Sequence, residues 1–204
     1  MVEVKIYVEG GGDYRALRTQ CRKGFREFFE KAGLVGRMPH IVACGGRTST
    51  YEDFCIALAN TEGNQVIILL VDSEDALAGK KPWDYLKSRK GDGWDKPARA
   101  TDDNVHLMVQ CMESWFLADR DTLVKFYGQA FNPHALPHNQ QIEIIPKKDV
   151  LDGLENASRN TQKGMYAKGK ISFQILGLID PRKVADQAPY AKRLIEYLDK
   201  LPAA

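Results

Sequence analysis

The sequence lacks most of the features that mark a specialised class of protein. Its 204 residues hold only four cysteines, at positions 21, 44, 55 and 111, and no C-x-x-C pair. This spacing fits buried thiols in a reducing compartment better than a disulfide scaffold. No apolar run approaches the ~18 residues of a membrane span, and the N-terminus has no signal-peptide-like apolar segment. We therefore expect a cytoplasmic protein with no membrane partner.

An excess of charge of one sign is also lacking. The chain has 29 Lys and Arg against 27 Asp and Glu, a formal net charge of +2, which neither favours nor excludes a nucleic-acid partner. Internal repeats and low-complexity tails are missing too. A composition of 44% hydrophobic and 27% charged residues is typical of a globular protein. The length allows one good-sized domain or a domain with an appended helical part.

The hydrophobic pattern predicts an α/β fold. Residues 2–9 alternate as a strand does, and "QVIILLVD" (65–72) is the continuous apolar run of a central parallel strand. Further strands are predicted at 40–44 and 104–110. Helices are predicted after an N-cap at Asp13, ending near Gly33, and after residue 46. We expect a Rossmann-like sheet of about four mainly parallel strands with flanking helices.

The C-terminal part of the sequence is mainly helical. Helical spacing predicts helices at 113–127, 147–159, 166–179 and 189–201. We therefore divide the chain into an α/β core, residues 1–127, and a helical extension, residues 128–204. We expect the extension to pack on the core and the two to form one structural unit.

Acidic residues stand where two of these strands end. Glu9 ends the first strand and precedes Gly10, Gly11 and Gly12, and Asp72 ends the central strand ahead of Glu74 and Asp75. Sites in open α/β sheets form at the carboxyl ends of strands, and clustered carboxylates suit Mg²⁺ or Mn²⁺. The glycines would let a phosphate approach. The plainer alternative is that Glu9 and Asp72 are solvated strand ends and that Asp13 and Asp75 cap helices.

The common nucleotide-binding motifs fit less well. A G-x-G-x-x-G motif needs a third glycine at position 15, where Arg15 stands, and a G-x-x-x-x-G-K-[ST] motif does not occur. The glycine run is therefore read with the acids, as part of a metal site.

Three stretches together resemble the Toprim domain of topoisomerases, bacterial primases and OLD-family nucleases. "VKIYVEGGGD" and "QVIILLVDSED" resemble its two signature motifs, and "HLMVQCMESWFLAD" (106–119) resembles a motif of the small Toprim-like proteins related to RloB. The resemblance implies that Glu9 is a metal ligand or general acid/base and that Asp72 and Glu74 stand for the Asp-x-Asp pair. Asp75 would be a spare carboxylate, and Glu113 a further metal-site or structural acid.

Basic residues near these motifs are candidates for holding phosphate. Arg15 and Arg18 follow the glycine run, and Arg47 follows the second strand. Lys168 and Lys170 lie in the Gly-interrupted cluster "KGMYAKGK". Each also has a plain alternative. The arginines of the first helix would form a solvated helix face, and Arg47 would lie beside a helix N-cap at Thr48 or Ser49. The lysine cluster would be a solubilising loop.

The resemblance implies an Mg²⁺- or Mn²⁺-dependent nuclease acting on DNA or RNA, with Glu9, Asp72 and Glu74 as catalytic residues. It also implies a role in prokaryotic defence against phage with an ABC/SMC-like ATPase partner, and a homo-oligomer is possible. Two alternatives stay open: a non-catalytic module that binds metal or a partner protein, and a nucleotidyl- or phosphoryl-transfer enzyme on the same fold.

Overall fold

The computed structural model describes residues 2–202 and is built on one parallel sheet. The strands are β1 (Glu3–Glu9), β2 (His40–Gly45), β3 (Gln65–Asp72) and β4 (Val105–Met108). Their order across the sheet is β2-β1-β3-β4, and each pair of neighbours is parallel. The predicted α/β class is therefore confirmed.

Eight α-helices cover the sheet or extend from it in the described residues. They are α1 (Arg15–Phe29), α2 (Arg47–Ala59), α3 (Pro82–Ser88), α4 (Arg120–Tyr127), α5 (Lys147–Ser158), α6 (Lys170–Leu178), α7 (Pro181–Gln187) and α8 (Pro189–Lys200). A π-helical turn, Glu30–Leu34, continues α1, and a 3₁₀ segment, Met112–Ala118, precedes α4. None of these helices is long and apolar enough to cross a membrane.

The sheet register brings the ends of β1 and β3 together. Val8 pairs with Leu70, so Glu9 and the last residues of β3 leave the sheet side by side. β3 is buried from Ile67 to Asp72, as expected for a central strand with both faces covered. Beyond β1, Gly10 bridges to Gly45 at the end of β2. One edge of the sheet therefore carries Glu9, the glycines and Asp72.

The C-terminal helices pack on the α/β part and share its core. α6 lies along α1, and α8 lies on β4, the edge strand of the sheet. One cluster of buried side chains includes Ile6 of β1, Trp115 of the 3₁₀ segment and Leu194 of α8. Residues from the far end of the chain can therefore reach the sheet edge.

Several predicted boundaries were wrong. Asp13 is fully exposed and caps nothing, because α1 begins at Arg15 with Tyr14 as its N-cap. Gly46, rather than Thr48 or Ser49, precedes α2. The helix predicted at 113–127 is divided at Asp119 into the 3₁₀ segment and α4. The helix predicted from residue 166 begins only at Lys170.

Candidate metal centre

Three carboxylates converge at the edge of the sheet. Glu9, Asp72 and Glu74 each offer one oxygen, and these oxygens lie within 4.8 Å of one another. Glu9 and Asp72 are the last residues of neighbouring parallel strands, and Glu74 lies two residues further on. We call these three side chains the acidic cluster. Hard oxygen donors this close together suit a divalent cation such as Mg²⁺.

Backbone hydrogen bonds hold the acidic cluster in place. Asp72 Oδ1 accepts the backbone N–H of Met112 at 2.9 Å, and Glu9 Oε2 accepts the backbone N–H of Asp72 at 3.3 Å. Glu74 has a left-handed backbone, with φ +72°, and its N–H donates to the carbonyl of Gln110 at 2.9 Å. Such a conformation is uncommon without glycine and persists only where neighbouring bonds fix it.

Two lysines lie against these carboxylates. The Lys147 ammonium donates to both oxygens of Glu74, at 2.7 and 2.6 Å, and lies 3.6 Å from Asp72 Oδ2. Lys168 Nζ lies 3.9 Å from the same Asp72 oxygen and 3.3 Å from Glu113 Oε2. Asp72 is therefore flanked by two ammonium groups.

Arg47 is occupied by protein groups, and the structure does not leave it free to hold phosphate. It makes a two-bond contact with Asp92, at 2.8 and 2.7 Å, and donates to Glu9 Oε2 at 3.1 Å and to the Asp72 carbonyl. Its guanidinium also lies 4.9 Å from the centre of the Trp94 ring. Arg47 therefore orients Glu9 and ties the loop around Asp92 to the end of the sheet.

Burial raises the pKa of two carboxyl groups of the acidic cluster, Asp72 and Glu9. Loss of water raises the pKa of Asp72, and the nearby carboxylates of Glu9 and Glu113 raise it further. Loss of water also raises the pKa of Glu9, against the opposing charge of Arg47. A cation placed among these carboxylates would favour their ionised forms.

The remaining acids take different positions. Asp75 is exposed and lies outside the acidic cluster; the Ser73 and Tyr85 hydroxyls bond to its backbone carbonyl rather than to its side chain. Glu113 is buried, and its Oε1 accepts the Tyr166 hydroxyl at 2.7 Å. The structure thus brings Glu113 to the neighbourhood of Asp72 but gives Asp75 no contact with the site.

The other basic residues predicted to hold phosphate lie at different distances from the acidic cluster. Lys168 faces the acids, whereas Arg15 and Lys170 are exposed at the starts of α1 and α6. Arg18 donates from Nε to the carbonyl of Gly12 at 2.9 Å, so it supports the glycine loop.

The glycine run serves close packing as well as access. A Cβ on Gly11 would lie 2.7 Å from the Arg18 Cα, and one on Gly45 would lie 2.6 Å from the Gly12 carbonyl oxygen. A Cβ on Gly12, in contrast, would meet open space. Gly11 and Gly45 are therefore required for the loop to fold against its neighbours, and Gly12 faces the accessible side.

Sequence reasoning missed Lys147 and Asp92. Lys147 begins α5 directly after Pro146, where a cation opposes the helix dipole. That unfavourable placement is a weak signal of another role. Asp92 lies in the sequence "KGDGW", which resembles an ordinary turn. Both residues reach the site only through the tertiary fold.

Comparison with known proteins gives a family. A family model described as "Domain of unknown function (DUF4276)" matches residues 8–199. The chain belongs to this family. The match covers the whole acidic cluster together with Arg47, Lys147 and Lys168, so the site lies within the DUF4276 domain. Searches of curated proteins and of solved structures found no match.

Proposed function

We propose that this protein is a Toprim-like, divalent-metal-dependent nuclease that hydrolyses phosphodiester bonds of DNA or RNA. The observation that carries the proposal is the convergence of the Glu9, Asp72 and Glu74 oxygens at the ends of adjacent parallel strands, beside a glycine loop. The three sequence motifs that resemble the Toprim domain support it, since two of them supply these carboxylates.

The donor set fits Mg²⁺ or Mn²⁺. Glu9, Asp72 and Glu74 would hold the ion through carboxylate oxygens, which are the ligands that these hard cations prefer. When bound, the ion would polarise a phosphate oxygen and lower the pKa of a water molecule. The chain must release Lys147 from Glu74 to free both oxygens of that carboxylate.

The surrounding residues orient the reacting groups. Arg47 fixes the direction of the Glu9 side chain, and Glu113 with Tyr166 fixes the position of Lys168. Lys168 lines a cavity of about 260 Å³ that also reaches Glu9, Asp72 and the glycine loop. It is therefore placed to contact an oxygen of a phosphate bound there. The resemblance to RloB-related proteins also supports a role as the effector of a prokaryotic defence system with an ATPase partner.

One observation favours a second candidate function, a module without activity of its own. Arg47, Arg89, Lys147 and Lys168 supply four positive charges to the five carboxylates of Glu9, Asp72, Glu74, Asp92 and Glu113. The site is thus nearly neutral without a metal. In this alternative the acidic edge binds a partner protein or a structural cation.

A cleavage assay separates the two. Supercoiled plasmid and single-stranded RNA are incubated with wild-type protein and Glu9→Gln in Mg²⁺, in Mn²⁺ and in EDTA. We expect metal-dependent cleavage by the wild type and a loss of at least about 100-fold in Glu9→Gln, as for removal of a group acting at the reacting phosphate. Asp75→Asn is the matched control and should cleave normally.

Equal cleavage by the wild type and Glu9→Gln would mean that another enzyme is responsible. Absence of cleavage in both metals would contradict the nuclease proposal. Calorimetry would then test the cation-binding form of the module, which requires divalent binding that Asp72→Asn abolishes.

A further inference from the structure

Helices α1 and α6 lie side by side and point in the same direction. Leu17 of α1 lies near Gly169, Gly24 packs against Phe173, and Glu27 packs against Gly177. Lys31 lies just beyond the end of α1, and Ile179 lies just beyond the end of α6. The Lys31 ammonium donates to the Ile179 carbonyl at 2.7 Å. Residue numbers rise together along both helices, so their N-termini lie at the same end.

The close approach of α1 and α6 depends on Gly24. A Cβ at Gly24 would lie 2.5 Å from the Phe173 carbonyl oxygen. A Cβ at Gly177 would lie 2.2 Å from a Glu27 carboxylate oxygen, so Gly177 leaves room for that side chain. Because the side chain of Gly24 is reduced to hydrogen, the backbone of α1 nearly touches that of α6 at this position. Their positive dipole ends are therefore brought next to each other.

Both N-termini open on the 260 Å³ cavity. Its lining includes Gly10–Gly12, Leu17, Lys168, Gly169 and Ser172, together with the carboxylates of Glu9, Asp72 and Glu113. The positive dipole ends of α1 and α6 and the Lys168 ammonium form a combination that favours phosphate. Because the same lining carries three carboxylates, a phosphate can lie in the cavity only with a divalent cation beside it.

One buried carboxylate oxygen of the cavity lining lacks a hydrogen bond. Glu113 is 2% exposed, its Oε1 accepts from Tyr166, and its Oε2 has no hydrogen-bond donor within the described residues. Lys168 approaches this oxygen to 3.3 Å as an ion pair, without the alignment of a hydrogen bond. A buried acceptor without a hydrogen bond lowers the stability of the folded protein, unless a donor on a ligand, such as a hydroxyl, supplies that bond.

We propose that this cavity binds one sugar-phosphate unit, with the phosphate against the N-termini of α1 and α6 and a sugar hydroxyl on Glu113. Resting on the proposed nuclease function, this makes a single sugar-phosphate unit of a nucleic-acid strand the part that the enzyme recognises. The cavity, at about 260 Å³, is smaller than the ~300 Å³ at which sites for drug-sized ligands begin, so its lining contacts a single sugar-phosphate unit.

Calorimetric titration tests the proposal with adenosine 5′-monophosphate (AMP), inorganic phosphate and adenosine, each in Mg²⁺ and in EDTA. We expect AMP to bind in Mg²⁺ at least tenfold more tightly than phosphate, and adenosine not to bind. EDTA should abolish AMP binding. Lys168→Met should weaken AMP binding at least tenfold, and Lys168→Arg should restore most of it. Lys192→Met, an exposed residue of α8 outside the cavity, should leave it unchanged.

Three results would overturn the proposal: adenosine binding as tightly as AMP, unchanged AMP binding by Lys168→Met, or no AMP binding at saturating Mg²⁺. Metal binding is measured separately, without nucleotide. If Mg²⁺ binds and AMP does not, the cavity proposal fails and the metal site stands. If Mg²⁺ does not bind, the proposed function fails, whatever AMP does in EDTA.

Discussion

At the scale of single residues, Lys147 decides how a cation would enter the acidic cluster. Its ammonium donates to both oxygens of Glu74 and lies 3.6 Å from Asp72. These are the same oxygens that a divalent cation needs. Two unit charges of like sign about 4 Å apart repel by roughly 4 kcal/mol at a typical effective dielectric constant, and a divalent ion carries twice that charge, so Lys147 and the metal compete.

Replacing Lys147 should therefore strengthen metal binding. We predict that Lys147→Met raises the affinity for Mg²⁺ by about tenfold, or 1.4 kcal/mol, because a competing charge is removed from Glu74. Calorimetric titration with Mg²⁺ measures the change. Lys148→Met is the matched control, since Lys148 is the exposed neighbour and pairs with Asp152 instead. Weaker binding by Lys147→Met than by the control would contradict competition.

Glu143 gives a prediction about pH. Its Oε1 accepts the backbone N–H of Tyr190 at the start of α8, and burial raises its pKa to about 7. The folded protein therefore holds this proton more tightly than the unfolded chain does. The protonated Glu143 side chain therefore stabilises the folded state fully below about pH 4. This stabilisation is lost as the pH rises through about 7, and the total loss is on the order of 3 kcal/mol.

Urea unfolding of wild type and Glu143→Gln between pH 4.5 and 8 tests whether Glu143 makes the folded protein less stable as the pH rises. The amide oxygen of the glutamine can still accept from Tyr190, but it does not titrate. We expect the free energy of unfolding of the wild type to fall more steeply with rising pH than that of the variant. Parallel curves for the two proteins would show that Glu143 has an ordinary pKa.

At the scale of elements, the sequence pattern predicts strands better than helices. β1 and β3 are recognisable because alternation and a continuous apolar run are strong local signals. Helices α3 and α7 were missed because each has only seven residues, too few to establish a helical period. α6 starts later than its hydrophobic spacing predicts because Gly169, with φ +130°, breaks the helix. Local backbone geometry, which periodicity does not report, set these boundaries.

The packing of α1 on α6 predicts the effect of a single methyl group. In Gly24→Ala the new Cβ would press on the Phe173 carbonyl, and overpacking of this kind costs about 1–3 kcal/mol. The higher helix propensity of alanine, compared with glycine, offsets up to about 1 kcal/mol of this cost. We expect a net loss of about 1–2 kcal/mol in urea unfolding. Gly46→Ala, where the methyl meets open space and the cost comes only from alanine at the N-cap of α2, should lose less than about 1 kcal/mol.

At the scale of the whole molecule, the candidate site is assembled from distant parts of the chain. The acids could be predicted because parallel strands end at one edge of a sheet, which places Glu9 and Asp72 together. Lys168 was predicted as a phosphate-binding candidate, but neither its contact with these acids nor the role of Lys147 could be predicted. Both lysines reach that edge only after the C-terminal helices pack on the sheet. Charge balance at the site is thus a property of the complete fold.

The central claim, that Glu9, Asp72 and Glu74 form one divalent site, is tested most directly by calorimetric titration of Mn²⁺. We predict that the wild type and Asp75→Asn bind one ion with similar affinity. Asp72→Asn, whose Oδ1 can still accept from Met112, should keep its fold and lose this binding. Absence of binding by the wild type, or equal binding by Asp72→Asn, would contradict the account.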